Sequence, residues 1–392
     1  MIEIQDKTKC SGCHACRSIC PKQCIKMIED EEGFLYPSVV EEECIRCGLC
    51  EKVCPILHPL ENNKAESDIC AYAAYTKDEE IRKNSSSGGM FTKISCWVIE
   101  RQGVVFGAAF DKSFQVRHMY AETEEALAKF RGSKYMQSII GDSYMQAKRF
   151  LDEGRWVLFT GTPCQIGGLL NYLPKAYEKL LTQDIICHGV PSPLVWRKYR
   201  EYRERQSGGK TEHINFRNKA KGWNPYYVEM NFSGGKEYLQ ISGKDLYMRT
   251  FLSDLCLRPS CYDCRFKRKV RSSDFTLADF WGIDNVLPEM NDNKGTSLFL
   301  VNSDKGRKVF ADISERLVFK QVDIDRAIQY NPSMLTSVKK PEKRDAFMAK
   351  MRTQPIDKAM KQTLPKSFPP YRFLVRAVRK MTRILKIGER DI

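Results

Sequence analysis

Cysteines dominate the chemistry available to this chain, since 16 of its 392 residues are cysteine. Eight of them form two copies of the spacing C-x2-C-x2-C-x3-C, and each copy is followed directly by proline. Thiolates at this spacing bind cubane [4Fe-4S] clusters, and the fourth cysteine of each run is a ligand of the other cluster. One cluster is therefore predicted to be bound by Cys10, Cys13, Cys16 and Cys54. The second is predicted to be bound by Cys44, Cys47, Cys50 and Cys20.

Zinc binding and disulfide formation are the other common uses of so many cysteines. Zinc sites usually take two C-x2-C pairs with a long gap, and disulfides need an oxidising compartment, which nothing in the sequence indicates. Both runs match the iron–sulfur pattern at every ligand position, so the segment resembles a two-cluster bacterial ferredoxin. Cys24 falls outside the pattern and is predicted to be a small buried hydrophobe near a cluster.

Four cysteines farther along the chain could form a third site. Cys164 and Cys187 each follow a predicted strand, which would place them side by side at the carboxyl edge of a sheet. Cys261 and Cys264 form a C-x2-C pair. The spacing leaves two interpretations open, a third [4Fe-4S] cluster or a structural pair with two buried thiols. Cys256 is a spare ligand candidate, since C-x4-C-x2-C also occurs in iron–sulfur proteins.

Serine and glycine open a predicted helix at residues 85–90. Bare backbone N–H groups and the positive end of the helix dipole can hold a phosphate at such a place. The alternative is an ordinary capped loop. Lys134, which follows Gly132 and Ser133, could meet a phosphate in the same way or be a solvated loop lysine.

Charge is unevenly distributed over the chain, whose formal net charge is +15. Residues 1–70 carry 8 basic against 13 acidic side chains, whereas residues 331–392 carry 16 against 5. An acidic start on a basic body argues against a nucleic-acid-binding protein and is compatible with an anionic cofactor or substrate on the body. Neither a membrane-spanning run nor a signal peptide is found, which predicts a cytoplasmic location.

The hydrophobic pattern predicts a mixed architecture of α+β and α/β parts that must position these residues. A two-cluster domain is expected at residues 1–60. It is followed by a mixed α/β body with an N-terminal region at 68–150 and a C-terminal region at 151–330. The remainder, 331–392, is a basic tail with an amphipathic helix at 371–387. That helix would lie on the inner face of an anionic membrane, dock on a partner or pack on its own domain.

Six segments, taken in order, resemble the beta subunit family of coenzyme F-420-reducing hydrogenase and dehydrogenase. They are residues 85–90, 131–135 with 137–138, 161–165, 187–191, 258–264 and 273–282. The resemblance covers about residues 68–330. It implies an FAD-dependent oxidoreductase with an iron–sulfur cluster beside the flavin.

The resemblance also implies roles for individual positions. The ligands of a third [4Fe-4S] cluster would be Cys164, Cys187, Cys261 and Cys264. The flavin contacts would be Ser86, Ser87, Gly88, Gly89, Ser133, Lys134, Thr160, Gly161, Thr162 and Gln165. His188 and Asp279 are candidate catalytic residues near the flavin, without an assigned proton transfer.

Two departures from the family affect the expected function. The chain carries its own two-cluster domain, and the segments at 187–193 and 279–282 look more like the branch from bacterial surface-polysaccharide gene clusters. We expect an iron–sulfur flavoprotein that passes electrons between a low-potential donor or redox partner protein and an acceptor, either a deazaflavin or a sugar-linked intermediate. The alternatives are an electron-transfer subunit of a larger complex that uses coenzyme F-420, and a non-catalytic partner in polysaccharide biosynthesis.

Overall fold

The computed structural model describes residues 1–60 and 65–365, so the predicted basic helix at 371–387 lies outside the described residues. The elements of the N-terminal domain are α1 (Ala15–Ile19), β1 (Ile25–Glu29), β2 (Leu35–Val39) and α2 (Leu49–Lys52). Both helices start after a left-handed residue, His14 at φ 63° and Gly48 at φ 73°. These sharp turns let closely spaced cysteines point to one side.

The body contains longer elements. Its strands are β3 (Cys70–Thr76), β4 (Val104–Phe110), β5 (Val116–Ala121), β6 (Val157–Thr160), β7 (Leu180–Ile185), β8 (Thr211–Asn218), β9 (Tyr227–Phe232), β10 (Lys236–Ile241), β11 (Phe275–Asp279), β12 (Ser297–Val301) and β13 (Leu317–Val322). Its helices are α3 (Glu79–Lys83), α4 (Met90–Ile99), α5 (Ser143–Asp152), α6 (Pro163–Tyr172), α7 (Pro193–Ser207), α8 (Leu246–Leu252), α9 (Ile283–Val286), α10 (Asp304–Ile313), α11 (Ile324–Ile328), α12 (Arg344–Thr353) and α13 (Ile356–Thr363).

A large mixed sheet forms the centre of the body, which confirms the prediction of a mixed α/β fold. Its strand order is β13-β3-β12-β11-β7-β6-β4-β5. The strands β4, β6, β7 and β11 are parallel, and the remaining pairs are antiparallel. Every residue of β6 and β12 is buried, as expected for apolar strands covered on both faces.

The carboxyl ends of several strands meet at one edge of this sheet. β6 pairs with β7 in parallel, with Thr160 opposite Gln183, so the segments that carry Cys164 and Cys187 leave the sheet side by side, as predicted. β11 pairs with the other side of β7 and ends at Asp279. Loops that follow these strands are thereby brought together.

The N-terminal domain and the body share an apolar core. Cys13, Ala15 and Val53 pack in the same cluster as Phe106 and Tyr144 of the body. A separate small antiparallel sheet, in the order β10-β9-β8, packs with α7, α12 and α13. The described part of the predicted tail, up to residue 365, therefore contributes to the body core. No helix within residues 1–60 or 65–365 is long and apolar enough to cross a membrane.

Candidate functional site

The first cysteine group, Cys10, Cys13, Cys16 and Cys54, comes together at the contact between the N-terminal domain and the body. Burial, reinforced by the sulfurs of Cys10 and Cys54, raises the pKa of Cys13 to about 12. Burial and the same neighbours also raise the pKa of Cys16. Thiols in such surroundings stay protonated unless a cationic centre stabilises the thiolates, so the group suits a bound iron–sulfur cluster.

The second cysteine group, Cys20, Cys44, Cys47 and Cys50, lines a pocket nearer the surface. The backbone N–H groups of Ile2 and Arg46 donate to the sulfurs of Cys50 at 3.3 Å and Cys44 at 3.4 Å. Such bonds stabilise thiolates that bind a cluster. Cys47 is exposed, so this group is accessible from solvent.

Cys24 lies directly beside the second group. It is buried, and its Sγ lies 3.4 Å from Sγ of Cys20. This agrees with a small buried side chain next to a cluster.

The third cysteine group, Cys164, Cys187, Cys261 and Cys264, lines one cavity of about 660 Å³, part of it open to solvent. Burial raises the pKa of Cys164, and the other three sulfurs add to the effect. Burial, with Cys187 as the strongest neighbouring charge, raises the pKa of Cys261 to about 12. The fold thus gathers four thiols from three separate segments of the chain.

Cys256 does not join this group. Its side chain is fully buried in the core beside Tyr247, and it is not among the residues that line the cavity. In the described part of the chain, no group of three or more His, Cys, Asp or Glu side chains is placed to hold a single metal ion. In a cubane each cysteine binds its own iron, so its four sulfurs lie farther apart than the ligands of one zinc ion.

The first and third groups lie next to each other. The cavity of the third group is also lined by Thr8, Lys9, Ser11 and Ile56 of the N-terminal domain. Helix α6 connects the two, because Cys164 lies in its first turn and a Cβ built on Gly168 would lie 3.0 Å from Cβ and Sγ of Cys13. Four residues of α-helix correspond to about 6 Å along the axis.

The loops predicted to contact a flavin meet at Ser86 and Ser133. The Ser133 N–H donates to Oγ of Ser86 at 2.7 Å, and the two hydroxyls lie 2.9 Å apart. Ser87 donates to the carbonyl of Thr296, and the Gly88 N–H donates to Oγ of Ser297. These bonds fix the 85–89 loop to the start of β12.

Lys134 is neither a solvated lysine nor a free phosphate donor in this arrangement. Its Nζ donates to the carbonyls of Phe130, Arg131 and Gly132 at 3.1, 2.9 and 3.0 Å. An ammonium has three protons, so these acceptors use all of them. Burial lowers the pKa of Lys134 to about 7, while the three carbonyls favour its charged form.

The residues predicted at 160–165 shape the start of α6. The Thr162 N–H donates to Oε1 of Gln165 at 2.9 Å in a capping box, and Nε2 of Gln165 donates to Oγ of Ser138 at 2.9 Å. Thr160 donates to the carbonyl of Phe106, and Gly161 lies against Gln165. This set therefore orients the helix that carries Cys164.

The two candidate catalytic residues lie in different surroundings. His188 borders the third cysteine group, and its Nε2 lies 2.6 Å from Oδ1 of Asp254. Asp279 instead pairs with Nη1 of Arg217 at 2.5 Å. The structure does not bring His188 and Asp279 into one hydrogen-bonded pair, and a catalytic role for either stays a prediction.

Arg217 is a candidate site residue that the sequence analysis missed. Its side chain is almost fully buried, and Nη2 reaches the carbonyl of Ser86 at 3.4 Å. Burial opposes its charge, but the Asp279 carboxylate, Tyr135 and Tyr226 together outweigh burial and raise the pKa of Arg217. The rings of Trp223 and Trp281 stack 4.9 Å apart beside it. Nothing in the local spacing of β8 predicts this contact, which the fold alone creates.

Three family profiles match the chain. Two of them describe the beta subunit of coenzyme F420 hydrogenase/dehydrogenase: residues 71–141 match its N-terminal region, and residues 154–327 match its C-terminal region. Residues 9–56 match the "4Fe-4S dicluster domain". The last match confirms the prediction of an iron–sulfur domain at the N-terminus.

Individual relatives align with parts of the chain. The coenzyme F420-dependent sulfite reductase of Methanocaldococcus jannaschii is 27% identical over 203 residues, which are 50% of this chain and 30% of that protein. An uncharacterized ferredoxin of the same organism is 40% identical over 52 residues, 13% of this chain and 66% of the ferredoxin. The chain thus spans less than two thirds of either relative. A chain of the F420-reducing [NiFe] hydrogenase complex from Methanosarcina barkeri superposes with a TM-score of 0.44 at 19% identity, covering 74% of this chain and 90% of that one.

Proposed function

Because the chain belongs to the coenzyme F420 hydrogenase/dehydrogenase beta subunit family and carries a 4Fe-4S dicluster domain, we propose that it is an iron–sulfur flavoprotein oxidoreductase. It would pass electrons between a low-potential donor and an acceptor through two clusters in the N-terminal domain, a third cluster and FAD. The family matches confirm the resemblance inferred from the six segments. The third cluster, the flavin and the acceptor are part of the proposal.

The observation that carries the proposal is the contact between the first and third cysteine groups. One helix, α6, presents Cys164 to the third group and packs Gly168 against Cys13 of the first. Electron transfer between cofactors needs such closeness, whereas cysteines with purely structural roles do not need to adjoin across two domains. The exposed Cys47 in turn leaves the second group accessible to a redox partner protein.

The described residues form a complete ligand set for each cluster, whereas for FAD they provide a set of neighbouring loops. Four thiols surround each proposed cluster site, and bound clusters would supply one-electron transfer. For FAD, we propose the edge formed by the 85–89 and 131–135 loops and residues 160–165. Arg217, which pairs with Asp279, bonds the Ser86 carbonyl at that edge, and Trp281 beside it adds aromatic surface. Lys134 would support the loop, since its protons are used by carbonyls.

The acceptor is proposed at the level of chemical class. The name of the sulfite reductase relative favours a deazaflavin. The resemblance of residues 187–193 to the branch from bacterial surface-polysaccharide gene clusters favours a sugar-linked intermediate. A second candidate function is that of an electron-transfer subunit in a larger complex, because the exposed second cysteine group suits protein docking. A third candidate is a non-catalytic partner in polysaccharide biosynthesis that uses its clusters structurally. Glycan assembly retained in C164A and C261A would favour it.

Anaerobic purification followed by iron, sulfide and flavin quantitation tests the proposal. At four irons per cubane, we expect about twelve irons and one FAD per chain. The C164A variant should retain about eight irons, while C256A, a matched change of a buried cysteine outside the cavity, should retain about twelve. Eight irons and no flavin in the unaltered protein would contradict the proposal and leave only the N-terminal clusters.

A further inference from the structure

Arg258 connects the first cysteine group to the body through its side chain. Its guanidinium is fully buried, with 0% of the residue exposed. Nε donates to the carbonyl of Cys10 at 2.7 Å, and Nη2 lies 3.5 Å from Sγ of the same cysteine. The side chain therefore reaches both the main chain and the sulfur of a predicted cluster ligand.

The main chain of Arg258 belongs to the loop that carries the third cysteine group. Its carbonyl accepts a hydrogen bond from the Cys261 N–H at 2.9 Å, and its own N–H donates to the carbonyl of Val190 at 3.0 Å. The Val190 N–H in turn points to Sγ of Cys261 at 3.5 Å. One residue thus contacts both cysteine groups at the place where they adjoin.

The remaining contacts of the guanidinium are neutral. Nη1 donates to Oε1 of Gln137 at 2.9 Å, Nη2 donates to the carbonyl of Leu35 at 3.1 Å, and the ring of Tyr36 lies 4.2 Å from Cζ. No carboxylate forms a salt bridge with Arg258 among residues 1–60 and 65–365. A buried charge without a counter-ion is costly, so a negative partner is expected at this position.

A cluster held by four thiolates provides that negative charge. We propose that Arg258 is a positioning residue that raises the reduction potential of the cluster bound by Cys10, Cys13, Cys16 and Cys54. Hydrogen bonds to cluster sulfurs and a nearby positive charge favour the reduced form, which carries one more negative charge. The proposal rests on the cluster assignment of the proposed function and adds the residue that tunes one of those clusters.

Redox titration of the anaerobically reconstituted full-length protein, followed by EPR, tests this assignment. The signal of the first-group cluster is identified by its loss in C54A. In R258M the midpoint potential of the first-group cluster should fall relative to that of the second-group cluster in the same molecules. The expected fall is at least about 59 mV, which for one electron corresponds to a tenfold change in electron distribution. In R258K the shift should have the same sign and be smaller, because lysine keeps the charge but loses the planar fork.

R344Q is the matched control. Arg344 is also a buried arginine between the N-terminal domain and the body, but it pairs with Glu32 and donates to the carbonyl of Leu257. Both midpoints should be unchanged in this variant. An iron-replete R258M whose two midpoints match those of the unaltered protein would overturn the proposal. If R258M loses iron, an R258K variant with unchanged midpoint potentials would overturn the proposal equally. These midpoints are read without flavin, so a chain lacking FAD would defeat the proposed function and leave this test intact.

Discussion

The cysteine groups of the N-terminal domain and the cysteine group of the body reach similar arrangements by different routes. In the N-terminal domain, two or three residues separate neighbouring ligands in two short runs, and left-handed residues at 14 and 48 turn the chain between them. In the body, the four cysteines span residues 164–264 and meet only because parallel strands end at one edge. The first arrangement is local, and the second depends on the whole sheet.

Because of this difference, the geometry of the N-terminal cysteine runs and the geometry of the third cysteine group depend on different parts of the chain. A local run keeps its geometry as long as its own turns form. The third group moves whenever β6, β7 or the segment at 259–263 moves, so its environment is tied to the packing of the body. Substitutions in the two regions should therefore differ in how far their effects spread.

The largest expected effect comes from removing one ligand in each region. C54A should lose about four irons and also loosen the contact between the domains, because Pro55 packs near Gly167 and the carbonyl of Ile56 accepts from Arg265. C187A should lose about four irons and disturb that contact less, because Cys187 follows β7 and takes no part in the packing of Pro55 against Gly167. Iron analysis combined with limited proteolysis that separates the N-terminal domain from the body measures both quantities.

C256A is the control for both substitutions, since Cys256 is buried and lies outside the cavity. It should keep its iron. If C187A became as sensitive to protease as C54A, the assignment of the domain contact to the segment after Cys54 would be wrong.

The contact between the two regions can be disturbed directly at Gly168. A Cβ there would lie 3.0 Å from Cys13 and from the Tyr144 hydroxyl, so the branched side chain of G168V would overfill the contact. We expect the free energy of unfolding to fall by about 1–3 kcal/mol in an anaerobic urea titration. G243V, at a glycine with no atom within 4 Å of its added Cβ, should change it by less than about 0.5 kcal/mol. Equal losses in both variants would contradict close packing at residue 168.

A buried histidine makes the body edge sensitive to pH. Nε2 of His118 donates to the carbonyl of Thr160 at 2.8 Å, Nδ1 lies 3.1 Å from Oγ of Ser138, and burial lowers the pKa of His118 to about 4. Between that value and about 6.5 the unfolded chain binds a proton that the folded chain does not, so stability falls as the pH decreases. Its contribution should fall by about 2 kcal/mol from pH 7 to pH 5.

The difference in unfolding free energy between the unaltered protein and H118N, measured across that range, isolates this contribution. H213N, a change of an exposed histidine, is the control and should leave the pH dependence unchanged. A slope that survives in H118N would assign the pH dependence to other groups.

The contrast between local and fold-dependent cysteine groups also explains which parts of the site could be predicted from the sequence. The cluster ligands in the two cysteine runs could be predicted because their spacing along the chain is itself the signal. The adjoining ends of β6 and β7 could be predicted because each of two apolar strands is followed by a cysteine. The contact of Arg258 with Cys10 joins residues 248 positions apart, and that of Arg217 with Asp279 joins residues 62 apart. Such contacts leave no periodic signal, because they are created by sheet order and domain packing.

The smallest expected effect is that of a Lys134 substitution on flavin binding. It distinguishes a lysine that supports its own loop from one that contacts a flavin phosphate. A lysine beside glycine and serine suggests a phosphate contact, yet its three protons are donated to carbonyls of its own loop. We therefore expect K134M to weaken flavin binding no more than about tenfold, about 1.4 kcal/mol, through loosening of residues 131–135. Flavin titration of the apoprotein measures this change. K129M, at a nearby lysine that donates to the carbonyl of Tyr120, should bind flavin like the unaltered protein. A loss of a hundredfold or more in K134M would instead mean that the ammonium turns to the flavin phosphate on binding, and that the local pattern was the better guide.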